Sequence, residues 1–427
     1  GENKEQHSLN VHYNLVNKSS RRKLFGAPYS HSVKISWKKF KTGKETFYPV
    51  TIKSINEETT QPCWDIQVAD TESFVSDGIL NHNSALISLS NLSDDRMRNA
   101  KNGQWFLAEK QRSYANNSVA YTEKPNMETF MREWLSLVES QAGERGIFNR
   151  QGAIKHIKAN ARRVNIEKYA TDYGLNPCAE IILRPYQFCN LTELVVRPDD
   201  TLETLKEKIE VATIIGTIQA SMTNFKYLRK VWKQNCEEEA LLGVSMTGIM
   251  DNKLTAGLLD AELLIKALED LRFHAVEVNA KWAEKIGINR AAAITAVKPS
   301  GTVSLRVNSS SGIHTRWSPF YLRRVRGAKI DPLSHFMKEV GIPCETDAMS
   351  MDTMVFTFPV KAPQGVLYRN DLTALDQLRH WMIYKKHYTE HNPSVTIYVK
   401  DDEWLLVGAW VYENFDEVCG ISFLPAS

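Results

Sequence analysis

Apolar and polar positions along the chain follow two different rhythms, which meet near residue 83. Before it, short runs alternate with period two. Val33-Lys34-Ile35-Ser36-Trp37 has the pattern of a half-buried strand, and so do Tyr48 to Ile55 and Trp64 to Val68. Asn56 to Pro62 and Ser76-Asp77-Gly78 are turn clusters between them. This predicts a small all-β segment. After residue 83 the period lengthens. Met127 to Glu139 and Leu202 to Tyr227 have helical spacing, the latter interrupted at Gly216 at most. Ala261 to Ile286 predicts another helix, with Leu263, Leu264, Ala267, Leu268 and Leu271 on one face. Thr353 to Pro359, Ser394 to Val399 and Gly420 to Leu424 have the look of strands. Helices alternating with short apolar strands predict an α/β architecture.

The 427 residues give room for two or three domains with a large buried core. With 43% hydrophobic and 24% charged residues, the composition is that of an ordinary soluble globular protein. There is no apolar run of about 18 residues to span a membrane, and no secretory leader pattern opens the sequence. The first residue is Gly rather than Met, which points to a cut or internal start. Six cysteines, none in a C-x-x-C pair, argue against a zinc site or a disulfide scaffold and for a reducing cytoplasm. Net charge is +3, yet residues 1–50 hold ten Lys/Arg against three Asp/Glu. That basic head reads as a solvated segment, with nucleic-acid contact the weaker alternative.

Radical reduction of a ribose needs a cysteine to become a thiyl radical, a carboxylate to take a hydroxyl proton, and two thiols to supply electrons. The stretch LNPCAEIILRPYQFCNLTEL, Leu175 to Leu194, supplies several of these together. On an extended strand or finger loop, Asn176, Cys178 and Glu180 would share one side. Cys189 follows eleven residues after Cys178, as on a neighbouring strand. A second block, Lys298-Pro299-Ser300-Gly301-Thr302-Val303-Ser304, can offer backbone N–H and hydroxyl groups to phosphate oxygens. The basic run Arg323-Arg324-Val325-Arg326 could meet phosphates or be a solvated strand. Cys236, Cys344 and Cys419 read as structural.

The stretch from Leu175 to Leu194 resembles the catalytic loop of adenosylcobalamin-dependent ribonucleoside-triphosphate reductases, the class II ribonucleotide reductases. Further matching stretches, from Ser84-Ala85-Leu86 through Ala115-Asn116-Asn117-Ser118-Val119 and His391-Asn392-Pro393 to Gly420-Ile421-Ser422, extend the resemblance over nearly all of residues 84–427. It implies a ribonucleotide-reductase-type ten-stranded α/β barrel, here partial and incomplete at both ends. It implies Cys178 as the thiyl-radical cysteine, Glu180 as general base, Asn176 as a substrate-hydroxyl ligand and Cys189 as one reducing thiol, whose partner lies upstream. Ser118, Pro299, Ser300, Gly301 and Thr302 would hold sugar and phosphates. The cofactor implied is adenosylcobalamin, with no metal bound by side chains. The substrate is a ribonucleoside triphosphate and the reductant thioredoxin or a similar dithiol. No membrane and no direct nucleic-acid binding are expected.

Upstream, Cys63 to Ser84, ending Gly78-Ile79-Leu80-Asn81-His82-Asn83-Ser84, resembles the C-terminal end of an intein. Asn83 can cyclise and break the following peptide bond. His82 can protonate the leaving amine and Ser84 can accept the upstream acyl group. Residues 47–83 are thus expected to be an intein (Hint-type) C-terminal segment, and 1–46 a linker or the remnant of an inserted element. The missing N-terminal intein half would be a partner, and the 427-residue chain alone would be inactive. Three alternatives remain: a splicing fragment with an inactive reductase passenger, a class I ribonucleoside-diphosphate reductase large subunit, and a glycyl-radical barrel enzyme.

Overall fold

A computed structural model describes the backbone of seven strands between Ser8 and His82. It also describes residues 86–426, except 104, 106–108, 110, 111, 113, 114, 348 and 349. The chain divides into two compact units, Gly1–Leu86 with Gln104–Ala115, and Ile87–Gly103 with Asn116–Ser427.

In the first unit, β1 (Ser8–Tyr13), β2 (Ser30–Trp37) and β5 (Val50–Glu58) form an antiparallel sheet in the order β1-β2-β5. Val33 pairs with Ile55, so the expected alternating strands lie side by side. β3 (Phe40–Thr42) pairs with β4 (Glu45–Phe47), and β6 (Ser73–Ser76) with β7 (Ile79–His82). The strand expected over Trp64 to Val68 lies outside the described residues.

The second unit is built from parallel strands separated by helices. β8 (Leu86–Ser90), β9 (Ala115–Tyr121) and β10 (Gly146–Asn149) are consecutive in one sheet, followed by β19 (Gly420–Pro425) and β18 (Thr396–Val399). β9 and β10 are parallel, as are β19 and β18, whereas β10 and β19 run antiparallel. β11 (Gly174–Leu175) and β12 (Ile182–Leu183) form a short hairpin. β13 (Asn190–Val195) and β14 (Leu242–Thr247) pair in parallel. Parallel bridges Val244↔Thr295 and Val297↔Pro393 then link β14, through residues 295–297, to the segment that enters β18. Eight strand segments therefore follow one another from β13 to β8, with the direction reversing between β19 and β10. Parallel neighbours need crossovers, which the helices supply: Met127–Ser140 between β9 and β10, Leu202–Ala220 between β13 and β14, and Trp404–Glu413 between β18 and β19. β15 (Phe320–Ala328), β16 (Cys344–Asp347) and β17 (Ser350–Lys361) form a separate antiparallel sheet in the order β15-β17-β16.

All six β14 residues are buried. Helix Leu202–Ala220 lies so close to this strand that a Cβ on Gly216 would stand 3.1 Å from Leu242 Cγ. Gly216 is thus a packing contact within a continuous helix. The helix stops at Ala220 rather than Tyr227: Ser221 caps it and donates its hydroxyl to Ile218 O, while the Thr223 hydroxyl turns away to Glu237. A new helix, Lys230–Glu239, follows. Helix Ala261–Ile286 spans the expected residues. Asp260 caps its first N–H groups, and Gly287 ends it at φ 74°. Its buried face is Leu264, Ala267, Leu268, Leu271, Ala275 and Val278. Leu263 was expected there but is 46% exposed, since one residue of helix turns a side chain by about 100°. Each fully buried Leu of that face contributes on the order of 1.5–3 kcal/mol. The basic run lies on β15, where Arg324 pairs with Glu345 and Arg326 with Asp347. Among the described residues no helix is long and apolar enough to cross a membrane.

Candidate active site

The β11–β12 hairpin carries residues 176–181 as a tight loop. The Asn176 N–H donates to Ile181 O at 3.2 Å, and Asn176 Oδ1 accepts the Ile181 N–H at 2.9 Å. The Ala179 N–H donates to Asn176 O at 2.9 Å, and Ala179 takes φ 63°. The extended arrangement with Asn176, Cys178 and Glu180 on one face is therefore corrected to a turn. Its cause is local: the Asn176 side chain folds back on its own loop, and Asn–Pro favours turn initiation.

Distant residues hold the loop. The Asn392 N–H donates to Glu180 O at 3.0 Å, and Asn392 Nδ2 donates to Ala179 O at 2.9 Å and Gly420 O at 3.0 Å. Asn116 Nδ2 donates to Pro177 O at 2.7 Å. Gly420 is glycine because a Cβ there would stand 2.6 Å from Leu175 Cδ1 and 3.0 Å from Ala179 Cβ.

Cys178 is half-buried in the wall of a cavity of about 270 Å³ that Asn116, Ser118, Pro299, Thr396 and Ser422 also line. That volume is near the lower end of small-molecule pockets, about 300–1,000 Å³. Ser118 comes from β9, opposite Gly146 of β10, and Ser422 from β19. Thr396 and Ser422 hydroxyls lie 3.1 Å apart.

Glu180 is fully buried. Its Oε1 accepts from Lys298 Nζ at 3.2 Å, and Oε2 has no partner among the described residues. Burial first, and the Glu180 charge second, push the Cys178 thiol up; Lys298 opposes them. Burial would lower Lys298, but the Glu180 and Cys178 charges outweigh it, so the ammonium form is favoured.

The cavity wall thus brings together Cys178, Ser118 and Pro299 of the expected residues, with Asn176 and Glu180 joined to it through the loop. Ser300 is buried, and its hydroxyl accepts the Ser304 N–H at 3.0 Å, so this side chain shapes its own loop. A Cβ on Gly301 would meet nothing within 4 Å. The Thr302 side chain lies outside the described residues. Cys189 directly precedes β13 and is half-buried against Leu241, Ala292 and Ala293. Burial and then the Glu180 charge raise its pKa strongly. The His82 side chain, Asn83 and Ser84 lie outside the described residues, and β7 ends on His82. Among the described residues no group of three or more His, Cys, Asp or Glu could hold a metal ion.

Lys298, Asn392 and Asn116 were not singled out from the sequence as site residues. Each stands in a stretch that drew attention, but nothing in one dimension shows which amide or ammonium reaches the loop.

No family model matches the chain. It is 27% identical over 282 residues to a probable adenosylcobalamin-dependent ribonucleoside-triphosphate reductase of Dictyostelium discoideum, covering 64% of this chain and 36% of that protein. It is 27% identical to the adenosylcobalamin-dependent ribonucleoside-triphosphate reductase of Euglena gracilis, covering 59% and 34%. For the Lacticaseibacillus paracasei enzyme of the same name, identity is 26% and coverage 73% and 44%. The chain thus spans between a third and a half of the length of these relatives. Among solved structures, it superposes on a B12-dependent (class II) ribonucleotide reductase with a TM-score of 0.65 and 21% identity, covering 80% of this chain and 50% of that one. With the Actinobacillus ureae class Id ribonucleotide reductase alpha subunit the TM-score is 0.55 and identity 14%, covering 81% and 71%. The described residues have an α/β fold resembling class II ribonucleotide reductase.

Proposed function

We propose that this chain carries the catalytic loop and substrate cavity of an adenosylcobalamin-dependent ribonucleoside-triphosphate reductase. The observation that carries the reading is the placement of Cys178, half-buried in a polar cavity wall at the tip of a clamped loop. The relatives' names supply the reaction class. In this reading residues 84–427 are part of a ten-stranded α/β barrel, and the eight consecutive strand segments are in keeping with it.

Each residue then has a role. Cys178, as a thiyl radical, abstracts the 3′ hydrogen of the ribose. Glu180 holds the 3′-hydroxyl proton, with its unpartnered Oε2 as the acceptor. Asn176 keeps its Oδ1 for the loop and binds a hydroxyl through Nδ2. Cys189 is one of two thiols that lose two electrons and two protons while the 2′ C–O bond breaks and water leaves. The balance is ribonucleotide plus two thiols giving deoxyribonucleotide, disulfide and water. Ser118, Pro299, Ser300, Gly301 and Thr302 hold the triphosphate, Ser300 by shaping the loop. The chemistry adenosylcobalamin supplies when bound is a carbon-centred radical able to take a thiol hydrogen. Cys178, open to the cavity, fits the role of that thiol. Thioredoxin or a similar dithiol restores the reduced cysteines, and the location is cytoplasmic.

The test is product formation. The intact protein carrying this chain, given a ribonucleoside triphosphate, adenosylcobalamin and a dithiol, is expected to release the deoxynucleotide. No product with any of the four nucleotides would overturn the reading. The outcome for the diphosphate decides against or for the class I alternative.

We infer also that residues 47–83 are the C-terminal segment of an intein, with His82 as acid, Asn83 as cyclising residue and Ser84 as acceptor. What supports this is the β6–β7 hairpin ending on His82. Incubated protein is expected to break after Asn83, leaving a fragment that begins at Ser84 in the intact mass spectrum. If Asn83→Ala yields the same fragment, cyclisation is not its source.

A further inference from the structure

The cavity that Cys178 lines has a second polar wall. Asn117 and Ser118 of β9, Ser422 of β19 and Glu144, in the turn that enters β10, form it. β9 and β10 are parallel, so the chain must return from helix Met127–Ser140 to lay Gly146 beside Ser118. The return is tight. Gly143 takes φ 71°, and a Cβ there would stand 2.0 Å from Phe423 O. Glu144 follows it directly and stands in the cavity wall.

The charges at this wall are already matched. Lys101 Nζ donates to Glu144 Oε1 at 2.7 Å. Burial pushes the Glu144 carboxyl up, while Lys101 and the Asn117 main-chain N–H pull it down. Arg145, next in the chain, turns away to Glu133 at 2.6 Å and to Ser90 Oγ at 3.0 Å. Lys298 is held by Glu180 at 3.2 Å. Among the described residues that line the cavity there is no Lys or Arg. A triphosphate placed against this wall would meet a carboxylate and no cation to offset its charge, which is costly away from water. Neutral hydroxyls would meet acceptors instead. A carboxylate accepts through both oxygens, and an acidic side chain on ribose hydroxyls is a common way of holding a nucleoside. Asn117 Nδ2 donates to Met97 O at 2.7 Å, which orients Oδ1 as a second acceptor.

We propose that the Glu144 wall of the Cys178 cavity is a nucleoside subsite, which accepts the neutral hydroxyls of a ribose and excludes phosphates. The inference rests on the reading of this cavity as the reductase site. Glu144 and Asn117 are its specificity residues, and any phosphates lie away from them, on the side of the Pro299 loop. Two riboses have this chemistry, that of the ribonucleotide and that of the adenosyl group of the cofactor. Either is brought by this wall into the cavity that Cys178 lines.

The test uses the intact protein carrying this chain and reads occupancy at Cys178 without needing turnover. Iodoacetamide is added at a fixed, mildly alkaline pH, and the Cys178 adduct is followed by peptide mass spectrometry against rising ligand. One pair of probes is adenosine and 2′,3′-dideoxyadenosine; the other is cytidine triphosphate and its 2′,3′-dideoxy analogue. In at least one pair the ribose member is expected to protect Cys178 at a concentration about tenfold or more below its dideoxy partner, the factor that a hydrogen bond to a charged group supplies. A difference in the adenosine pair names the cofactor's ribose, and one in the cytidine pair names the substrate's. Glu144→Gln keeps the volume, removes the charge and is expected to shrink that difference severalfold. Inorganic triphosphate is expected to give no protection. Equal protection within both pairs, no protection by any nucleoside or nucleotide, protection by inorganic triphosphate, or a difference that Glu144→Gln leaves unchanged overturns the proposal. If Glu144→Gln does not fold, Asn117→Ala is read in its place with the same outcomes. Deoxynucleotide release with the difference unchanged in the variant ends this inference and leaves the proposed activity. A difference that the variant shrinks, in a protein that releases no product, leaves the subsite and ends that activity.

Discussion

Replacing Cys178 with serine is expected to abolish deoxynucleotide formation while leaving folding and substrate binding nearly unchanged. The exchange is close to isosteric, and the side chain is only half-buried, so the cavity loses little packing. The loop is held by Asn176, Asn392 and Asn116 rather than by the sulfur. A hydroxyl O–H bond is stronger than a thiol S–H bond, so the serine cannot take the radical. In the proposed role, Cys178 makes and breaks the reacting bonds, and its loss lowers kcat by on the order of 10⁴-fold or more. The assay is deoxynucleotide release, with nucleotide affinity measured alongside. A serine variant within tenfold of the parent's rate would remove Cys178 from the mechanism. The raised pKa keeps Cys178 as a thiol across neutral pH, which is the form that holds a hydrogen atom to give.

Glu180→Gln has the second large effect. In the proposed role of general base, Glu180 is worth about 10²–10⁴-fold in rate. Glutamine keeps the volume and leaves the Lys298 ammonium, about a third exposed, without its carboxylate. Breaking a buried ion pair from one side costs about 3–5 kcal/mol, and the exposure of Lys298 places this change near or below the lower limit. Lys298→Met is the harsher change for stability, because it strands a carboxylate with no solvent access. The expected order of thermal midpoints is parent, then Glu180→Gln, then Lys298→Met. The two variants also move Cys178 in opposite directions. Loss of the Glu180 charge lowers the thiol's pKa, and loss of Lys298 raises it. Alkylation of Cys178 at a fixed, mildly alkaline pH should therefore be faster than in the parent for Glu180→Gln and slower for Lys298→Met. Equal alkylation rates in all three proteins would mean that Glu180 and Lys298 do not act on this sulfur.

Much of the framework was legible before the fold. Helix Ala261–Ile286 matches its periodicity, since a repeat of 3–4 residues encodes one buried face and Asp260 and Gly287 cap the ends. The strands over Val33–Trp37 and Gly420–Leu424 were also expected, the first from its alternating sequence and the second as a short apolar run. Leu202 to Tyr227 was misjudged in length because apolar spacing continues past the hydroxyl cluster that ends the helix. Leu263 was misplaced because a face defined by five residues blurs at its edge.

By itself, the sequence determined which chemistry is on offer: Cys178, Glu180 and Cys189 within twelve residues, and Asn176 before them. Only the tertiary structure decided how they are set. It folded Asn176 back on its own loop and buried Glu180 under Lys298, 118 residues away. It brought Asn392 across 213 residues to hold Ala179 O, and set Cys236 beside the amide that precedes Cys189. The physical reason is range. Periodicity and caps act within a turn or two of chain, whereas the loop's partners are chosen by strand order, which parallel crossovers settle over hundreds of residues.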